Sequence, residues 1–384
     1  MLFQCPDLDD TELRVVARIA GLKEQLRSQL NEPHRWTGSL RRLSIARAIQ
    51  GSNSIEGYDA ALDDAAAVAI GEEPLDADTE TTLALQGYRN AMTYVLQLAT
   101  DPGFDYSTQL VKSLHFMMIS YDLKARPGLW RSGSVFVQRE EDGEIVHEGA
   151  PIELVPGLMR ELVDALNVDS TETIVLAAMA HLNLVMIHPF RDGNGRMARC
   201  LQSLVLARDG VLAPVFMSIE EYLGRSGNTT EYYEVLASVG GGSWTPERDA
   251  RPWVRFCLKA HLRQAGTVLR RIRESERLWI DLERLVSRHT LAERSTDLLY
   301  DAAMGLRVRN ATYRAMLEQG GDPIAEQTAS RDLRLAVEAG LLVPHGERRG
   351  RYYVAAGELR EMRAQARLVL GARDNSDPFA DAND

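Results

Sequence analysis

The run from Ile174 to Ile187 constrains this chain more than any other stretch. It is apolar almost throughout, yet too short to span a bilayer, and it carries His181 and Asn183. It therefore reads as a helix buried in a protein core. Pro189 and Gly193 break it, and a second helical stretch runs from Arg196 to Asp209, with Gly210 placed to end it. Helical periodicity also dominates elsewhere. Glu12 to Leu30 and Gly38 to Gln50 carry apolar residues every three or four positions. Ala60 to Ile70 stops at Gly71 and Pro74, and Thr79 to Leu98 stops at Asp101-Pro102-Gly103. Tyr106 to Ser120 has Ser107 as N-cap, and Pro151 to Leu166 follows. Pro252 opens a long amphipathic helix with the stripe Val254, Leu258, Leu262, Ala265, Leu269 and Ile272.

Composition narrows the class. With 45% hydrophobic and 26% charged residues the chain is not mainly disordered, and 384 residues predict two or three domains. A net charge of −11 makes it a poor general binder of nucleic acid or anionic membranes, so any such contact has to be a local patch. Three cysteines, an odd number without C-x-x-C spacing, read as free thiols in a reducing compartment. Asp7, Asp9 and Asp10 give the start the wrong charge for a signal peptide. These features predict a cytoplasmic protein with no membrane partner.

The densest chemistry lies at His188-Pro189-Phe190-Arg191-Asp192-Gly193-Asn194-Gly195-Arg196, followed by Arg199. The segment is a loop that leads into a helix N-terminus, where backbone N–H groups and the helix dipole favour anions. Gly193 and Gly195 let the backbone approach phosphate oxygens. Arg196 and Arg199, three apart, add two cationic forks on one helix face. Asp192 is a hard oxygen ligand suited to Mg²⁺ beside a polyphosphate, and His188 is the group able to take a proton near neutral pH. A dinucleotide fingerprint through Gly193, Gly195 and Ala198 would need a preceding strand, and a metal site on His181 and His188 lacks a third ligand. A plain charged turn is the remaining alternative, but it needs neither a base nor an anion nest.

His188 to Arg199 resembles the full signature of the Fic (AMP-transferase) family, H-P-F-x-[D/E]-G-N-G-R-x-x-R, with no substituted position. The resemblance covers roughly residues 40–236. It implies transfer of AMP from ATP to a Ser, Thr or Tyr hydroxyl of a target protein, with release of pyrophosphate. It assigns His188 as the base and Asp192 as the Mg²⁺ ligand. It makes Gly193, Asn194 and Gly195 the anion hole, and puts Arg196 on the β-phosphate and Arg199 on the γ-phosphate. Phe190 would anchor the loop in the core.

Three further elements are read in its light. Val135-Phe136-Val137 and Ile145-Val146, joined through Asp142-Gly143, form a hairpin that resembles the family's flap, whose edge can register an extended target by strand addition. Tyr232 and Tyr233, with Leu236, resemble the element beside the adenine, although Tyr pairs on helices also serve as core. Ser52 to Gly57 resembles the inhibitory motif [S/T]-x-x-x-E-[G/N], which implies that Glu56 pairs with Arg199 and blocks the γ-phosphate site.

The C-terminal pattern, helix 312–321, helix 326–339 and a Gly-turned basic hairpin, resembles a winged helix-turn-helix. Residues 301–354 hold eight Arg against seven Asp and Glu. Arg331 and Arg334 on the second helix, with Arg349 and Arg351 on the wing, are the contacts to DNA or to a protein partner. The predicted fold class is thus mainly α: a Fic-type helical bundle with a β-hairpin flap and a C-terminal winged helix. The predicted divisions are an N-terminal regulatory region at 1–105, a Fic core at 106–245 and connecting helices at 246–296. A winged-helix domain at 297–366 and a disordered tail at 367–384 follow. Gly240 to Ser243 marks the boundary after the core. The predicted function is an autoinhibited protein adenylyltransferase using ATP and Mg²⁺, with its own chain among the substrates. The alternatives are removal of AMP, transfer of another nucleotide, or a nucleotide-sensing transcriptional regulator. The sequence leaves a homodimer open.

Overall fold

The structure, a computed structural model, describes residues 1–31, 34–138, 145–168, 171–208, 218–347, 350–370 and 373–380. The hairpin turn at Asp142-Gly143, the helix stop at Gly210 and the wing residues Arg348 and Arg349 lie outside the described residues.

Helices α1 (Asp10–Asn31), α2 (Thr37–Ser54), α3 (Leu62–Ala69), α4 (Thr79–Leu98) and α5 (Thr108–Ile119) precede a short hairpin of β1 (Phe136–Gln138) and β2 (Ile145–Glu148). Local chemistry sets several ends. The Asp78 carboxylate accepts from the Thr81 N–H at 2.7 Å and starts α4, and the Ser107 hydroxyl accepts from the Leu110 N–H at 3.1 Å and starts α5. The strands pair antiparallel, with Phe136 opposite Glu148 and an irregularity after Val137. Then come α6 (Val155–Val168), α7 (Thr173–Ile187), α8 (Asn194–Arg208), α9 (Glu220–Leu223), α10 (Ser226–Gly240) and α11 (Arg251–Arg288). The last section holds α12 (Ser295–Ala303), α13 (Asn310–Gln319), α14 (Glu326–Glu338), the hairpin β3 (Leu342–His345) and β4 (Tyr352–Ala355), and α15 (Gly357–Leu368). Val308 pairs with Tyr353 as a third, single-residue bridge on that hairpin.

α7 is buried on all sides, as its composition demands. It lies in a first core that also takes Ile19 of α1, Val95 of α4, Leu114 of α5 and Leu201 of α8. A second core gathers Leu298, Tyr313, Leu333, Leu342 and Leu359 from α12 to α15. Among the described residues α1, α2, α3 and α11 each place buried side chains in both cores. α11 has 38 residues and, at ~1.5 Å each, is about 57 Å long. Its Trp253 and Leu258 sit in the first core, and its Leu269 and Leu282 in the second. α2 places Leu40, Leu43 and Ala46 in the second core and Ile49 in the first.

Two divisions expected from the sequence differ here. Residues before 106 do not form a separate region, because α1, α2 and α4 are packed in the shared cores. The glycine turn after α10 interrupts the helices but not the packing, since the Trp253 indole N–H donates to Ala178 O of α7 at 2.7 Å. The tail read as disordered is also held over residues 373–380. Phe379 is only 6% exposed, Arg255 lies over its ring at 5.4 Å, and Arg263 donates to the carbonyls of Asp374 and Ser376. An aromatic with a buried slot overrides the polar composition around it. No helix among the described residues is long and apolar enough to cross a membrane.

The crossing of α2 and α9 is tighter than side chains allow. A Cβ on Gly51 would lie 2.3 Å from the Glu220 carbonyl oxygen. Gly21, in the middle of exposed α1 turns, has nothing within 4 Å. Gly51→Ala should therefore destabilise the protein by ~1–3 kcal/mol through forced separation of the helices. Gly21→Ala should stabilise it by ~0.5–1 kcal/mol through helix propensity. Urea midpoints of the two variants should move in opposite directions.

Candidate active site

α7 and α8 are joined by a turn of six residues, 188–193, that its own side chains help to close. His188 caps α7 in the left-handed region, φ +54°, with its N–H on Leu184 O at 3.0 Å. Asn194 opens α8, and its side chain closes the turn: Oδ1 accepts from the Phe190 N–H at 2.9 Å and Nδ2 donates to Phe190 O at 3.0 Å. The Phe190 ring is fully buried, stacked on His115 at 3.6 Å between centroids and 4° between planes, with Trp130 at 4.9 Å. Gly193 takes φ +74°, a conformation that favours glycine. The N–H groups of residues 193–196 donate to no backbone carbonyl among the described residues. They form the open anion-binding end of α8.

The protonation of the two histidines follows from their partners. His188 Nδ1 lies 3.2 Å from Val185 O, and a carbonyl can only accept, so Nδ1 carries the proton and Nε2 keeps a free lone pair. Burial, opposed mainly by the Val185 contact, lowers the His188 pKa to about 4, so the imidazole is neutral at ordinary pH. His115 has the opposite arrangement. Its Nδ1 accepts from the Gly128 N–H at 2.9 Å, so Nε2 donates to Asp192 O at 3.0 Å. Burial lowers its pKa to about 4.

Both arginines of the turn are buried, at 1% exposure. Arg199 Nε donates to the Ser52 hydroxyl at 2.8 Å, and Nη2 donates to Ser52 O at 2.8 Å and to Glu56 Oε1 at 2.6 Å. Its Nη1 has no hydrogen-bond partner. A Cβ on Gly195 would meet Glu56 Oε1 at 2.5 Å, so this carboxylate lies directly on the N-terminal end of α8. Burial alone would raise the Glu56 pKa, but Arg199 and Arg196 outweigh it and hold the carboxyl below its ordinary value. Gly57, φ +82°, then turns the chain away. Arg196 donates to the Tyr121 hydroxyl at 3.0 Å, lies over the Tyr58 ring at 5.1 Å and leaves Nε unpartnered.

Asp192 is exposed at the mouth of the site, 3.5 Å from Arg196 Nη2. No group of three or more His, Cys, Asp or Glu side chains able to hold a metal exists among the described residues. The donor set is one exposed carboxylate beside the N-terminal end of α8. That set fits Mg²⁺ held jointly with phosphate oxygens and does not fit an all-protein metal cage.

The structure thus brings His188, Asp192, Gly193, Asn194, Gly195, Arg196 and Arg199 together with Ser52 of α2 and Glu56 just beyond its end. Two expected roles change. Tyr232 is 1% exposed, its hydroxyl lies 3.0 Å from His181 Nε2, and its ring packs on Trp253 and Phe256. It is a core residue and has no face open to a base. Tyr233 is the exposed member, and its hydroxyl donates to Ile55 O at 3.1 Å beside Glu56. The Asn194 side chain is committed to Phe190, so only its backbone is available to an anion. Val135, Phe136 and Val137 lie on and beside β1, with Phe136 45% exposed.

Sequence reasoning missed His115, Tyr121, Tyr58 and Arg131. His115 leaves a signal, because it shares the apolar face of α5 with Val111, Leu114 and Met118. Arg131 leaves only its place just before the hairpin. It donates to His188 O at 2.8 Å.

Residues 105–206 match the family model described as Fic/DOC family. The chain is 40% identical over 110 residues to protein adenylyltransferase fic-1 of Caenorhabditis elegans, covering 28% of this chain and 19% of that protein. It is 27% identical over 217 residues to protein adenylyltransferase Fic of Nematostella vectensis, covering 53% and 44%. The chain spans less than half the length of these curated relatives. Its fold is that of a Fic family protein from Desulfovibrio desulfuricans G20, with a TM-score of 0.57 and 23% identity over 92% of this chain and 98% of that one. Fic-1 (residues 134–508) from C. elegans aligns with a TM-score of 0.53 and 24% identity over 68% and 72%.

Beneath the site, His181 is fully buried between Gln202 Oε1 at 2.6 Å and the Tyr232 hydroxyl, and burial lowers its pKa to about 3. The unfolded chain binds this proton below about 6.5, whereas the folded one does not. Stability from this site is therefore full above pH ~6.5 and is lost as pH falls towards 3, at ~1.4 kcal/mol per pH unit for one proton. His181→Gln should flatten the fall in urea-derived stability between pH 6 and 4 by about one proton. An unchanged slope would contradict a neutral His181.

Proposed function

With residues 105–206 forming a Fic/DOC-family domain, we propose that the chain is a protein adenylyltransferase restrained by its own Glu56. One observation carries the reading. A neutral imidazole, an open helix N-terminus and two buried arginines converge on one small volume, and Glu56 fills part of it.

The reaction follows from those groups. The oxygen of a Ser, Thr or Tyr hydroxyl on a target protein attacks the α-phosphorus of ATP. The bond from that phosphorus to the α,β-bridging oxygen breaks, and pyrophosphate leaves with the electron pair. The hydroxyl proton passes to His188 Nε2, the lone pair left free by the Nδ1 contact. The N–H groups of residues 193–196 hold phosphate oxygens, Arg196 takes the β-phosphate and Arg199 the γ-phosphate, so positioning and charge stabilisation do most of the work. Mg²⁺, held on Asp192, would neutralise charge on the α- and β-phosphates. Tyr233 borders the adenine side, and an extended target pairs along β1.

In the resting protein Glu56 takes the Arg199 donors that the γ-phosphate needs. A triphosphate then binds without its outer phosphate in place, and its α-phosphorus is not in line with the incoming hydroxyl. We also read residues 297–366 as a winged-helix module. The order α12, bridge, α13, α14, β3, β4 and the exposed Arg331, Arg334 and Arg351 support a surface for DNA or for a protein partner.

Transfer of labelled AMP tests the reading. Glu56→Gly should raise labelling of protein, the chain itself included, by ~5–150-fold, the range of a coupling of ~1–3 kcal/mol. Arg199→Ala added to Glu56→Gly should lower it again, and His188→Ala should abolish it while ATP still binds. No label on any protein with Glu56→Gly and Mg²⁺ would sink the enzyme reading; equal labelling by wild type and Glu56→Gly would sink only the restraint.

The acid limb is a separate test. Since the His188 pKa lies at about 4, the base is already neutral at pH 5. The kcat/KM of Glu56→Gly should be level between pH 5 and 8. A half-loss near pH 6.5 would mean that His188 is solvated like a free imidazole and is not the buried base described above.

A further inference from the structure

We propose that Arg131 is a positioning residue that fixes the β1–β2 hairpin to the His188 turn, and so sets where a target hydroxyl meets the base. The consequence for catalysis rests on the adenylyltransferase reading; the attachment itself does not.

Arg131 is 6% exposed and makes no ion pair among the described residues. All its partners are carbonyl oxygens from three separate segments. Nε donates to His188 O at 2.8 Å, and the backbone N–H donates to Pro189 O at 2.9 Å. Nη1 donates to Gly133 O at 2.7 Å, just before β1, and Nη2 donates to Ala150 O, just after β2. Burying a guanidinium against neutral partners costs more than burying an apolar side chain of that size. What it supplies in return is a rigid planar fork with donors in three directions, which no other side chain has.

The other contacts between hairpin and turn tie the β2 side to the end of α7. His147 Nε2 donates to Met186 O at 3.0 Å, and the Ala150 N–H donates to Ile187 O at 3.2 Å. Gly149 packs so closely that a Cβ there would lie 2.9 Å from His188 Cβ. Arg131 adds the β1 side, the strand on which Phe136 is exposed, and it grips His188 itself by the carbonyl. The left-handed backbone of His188 is held from both sides, by Leu184 O on its N–H and by Arg131 on its carbonyl. A target strand added to the hairpin then has its distance to His188 Nε2 set by the guanidinium. A 1 Å error in such a distance costs ~10²-fold in rate.

The test compares Glu56→Gly with Glu56→Gly/Arg131→Lys in the full chain. The lysine keeps the charge and loses the planar fork. Radiolabelled ATP is the probe and the chain's own hydroxyls are the acceptor. Transfer should fall ~10²-fold with KM for ATP unchanged within ~3-fold, because the ATP-facing groups are not touched. Amide hydrogen exchange should accelerate together at residues 133–137 and 188–190, and not in α8. A merely structural residue would lower ATP affinity and transfer in step, and that result overturns the proposal. So does transfer within ~3-fold of the parent. If the Glu56→Gly parent neither labels itself nor binds ATP, the functional reading fails, and exchange alone decides the attachment. Faster exchange in both segments upholds it, and unchanged exchange in either overturns it.

Discussion

The reciprocal hydrogen bonds between the Asn194 side chain and the Phe190 backbone are the constraint on which the site depends. They close the turn between two fully buried helices without borrowing any N–H from the start of α8. Those N–H groups are left without a backbone carbonyl, while Arg131 and His115 reach in to satisfy the turn's carbonyls. The Phe190 ring makes the closure stiff, since it is stacked on His115 and cannot move without opening the core. His115 in turn holds Asp192 by its carbonyl, which turns the Asp192 carboxylate out to the mouth beside Arg196. One pair of hydrogen bonds and one stacked ring thus position the α8 N-terminus, the Asp192 carboxylate and His188 together.

Charge is then managed by burial. Arg199 is almost inaccessible, and a buried guanidinium without a carboxylate would be costly. Glu56 is that carboxylate in the resting chain, and a γ-phosphate would be its replacement. On the proposed reading the two anions would compete for one set of donors, and the same burial that makes Arg199 expensive would make that competition strong. Arg131 is the contrasting case, a buried cation that is satisfied by carbonyls and has no anion to exchange.

Glu56 is also not a free arm. It follows the C-terminal end of α2, whose Leu40 and Leu43 lie in the second core and whose Arg42 pairs with Asp301 of α12. At Gly51 the helix touches the backbone of α9 with no room for slack. The position of Glu56 over α8 is therefore set by packing that extends from the C-terminal helices to the turn.

Much of this was determined by sequence alone. The apolar run of α7, the breakers Pro189 and Gly193, the caps Asp78 and Ser107 and the stripe of α11 act within a few residues of themselves. Their outcome follows from local sterics, hydrogen bonding and hydrophobic periodicity. His188, Asp192, Arg196 and Arg199 were legible for the same reason, because one turn and one helix face bring them together. Tertiary structure decided the rest. Tyr232 and Tyr233 are neighbours with the same side chain, yet one is core and one is exposed, since only the packing of Trp253 and Phe256 says which face of α10 is covered. Phe379 is ordered because a slot beside Arg255 exists for it. The pair of Arg199 with Glu56, which the motif from Ser52 to Gly57 implied, and the bond of Arg131 to His188, which nothing in the sequence signalled, both join residues far apart in the chain. A sequence sets what such groups can bond, but only the closed core sets which of them are brought within 3 Å.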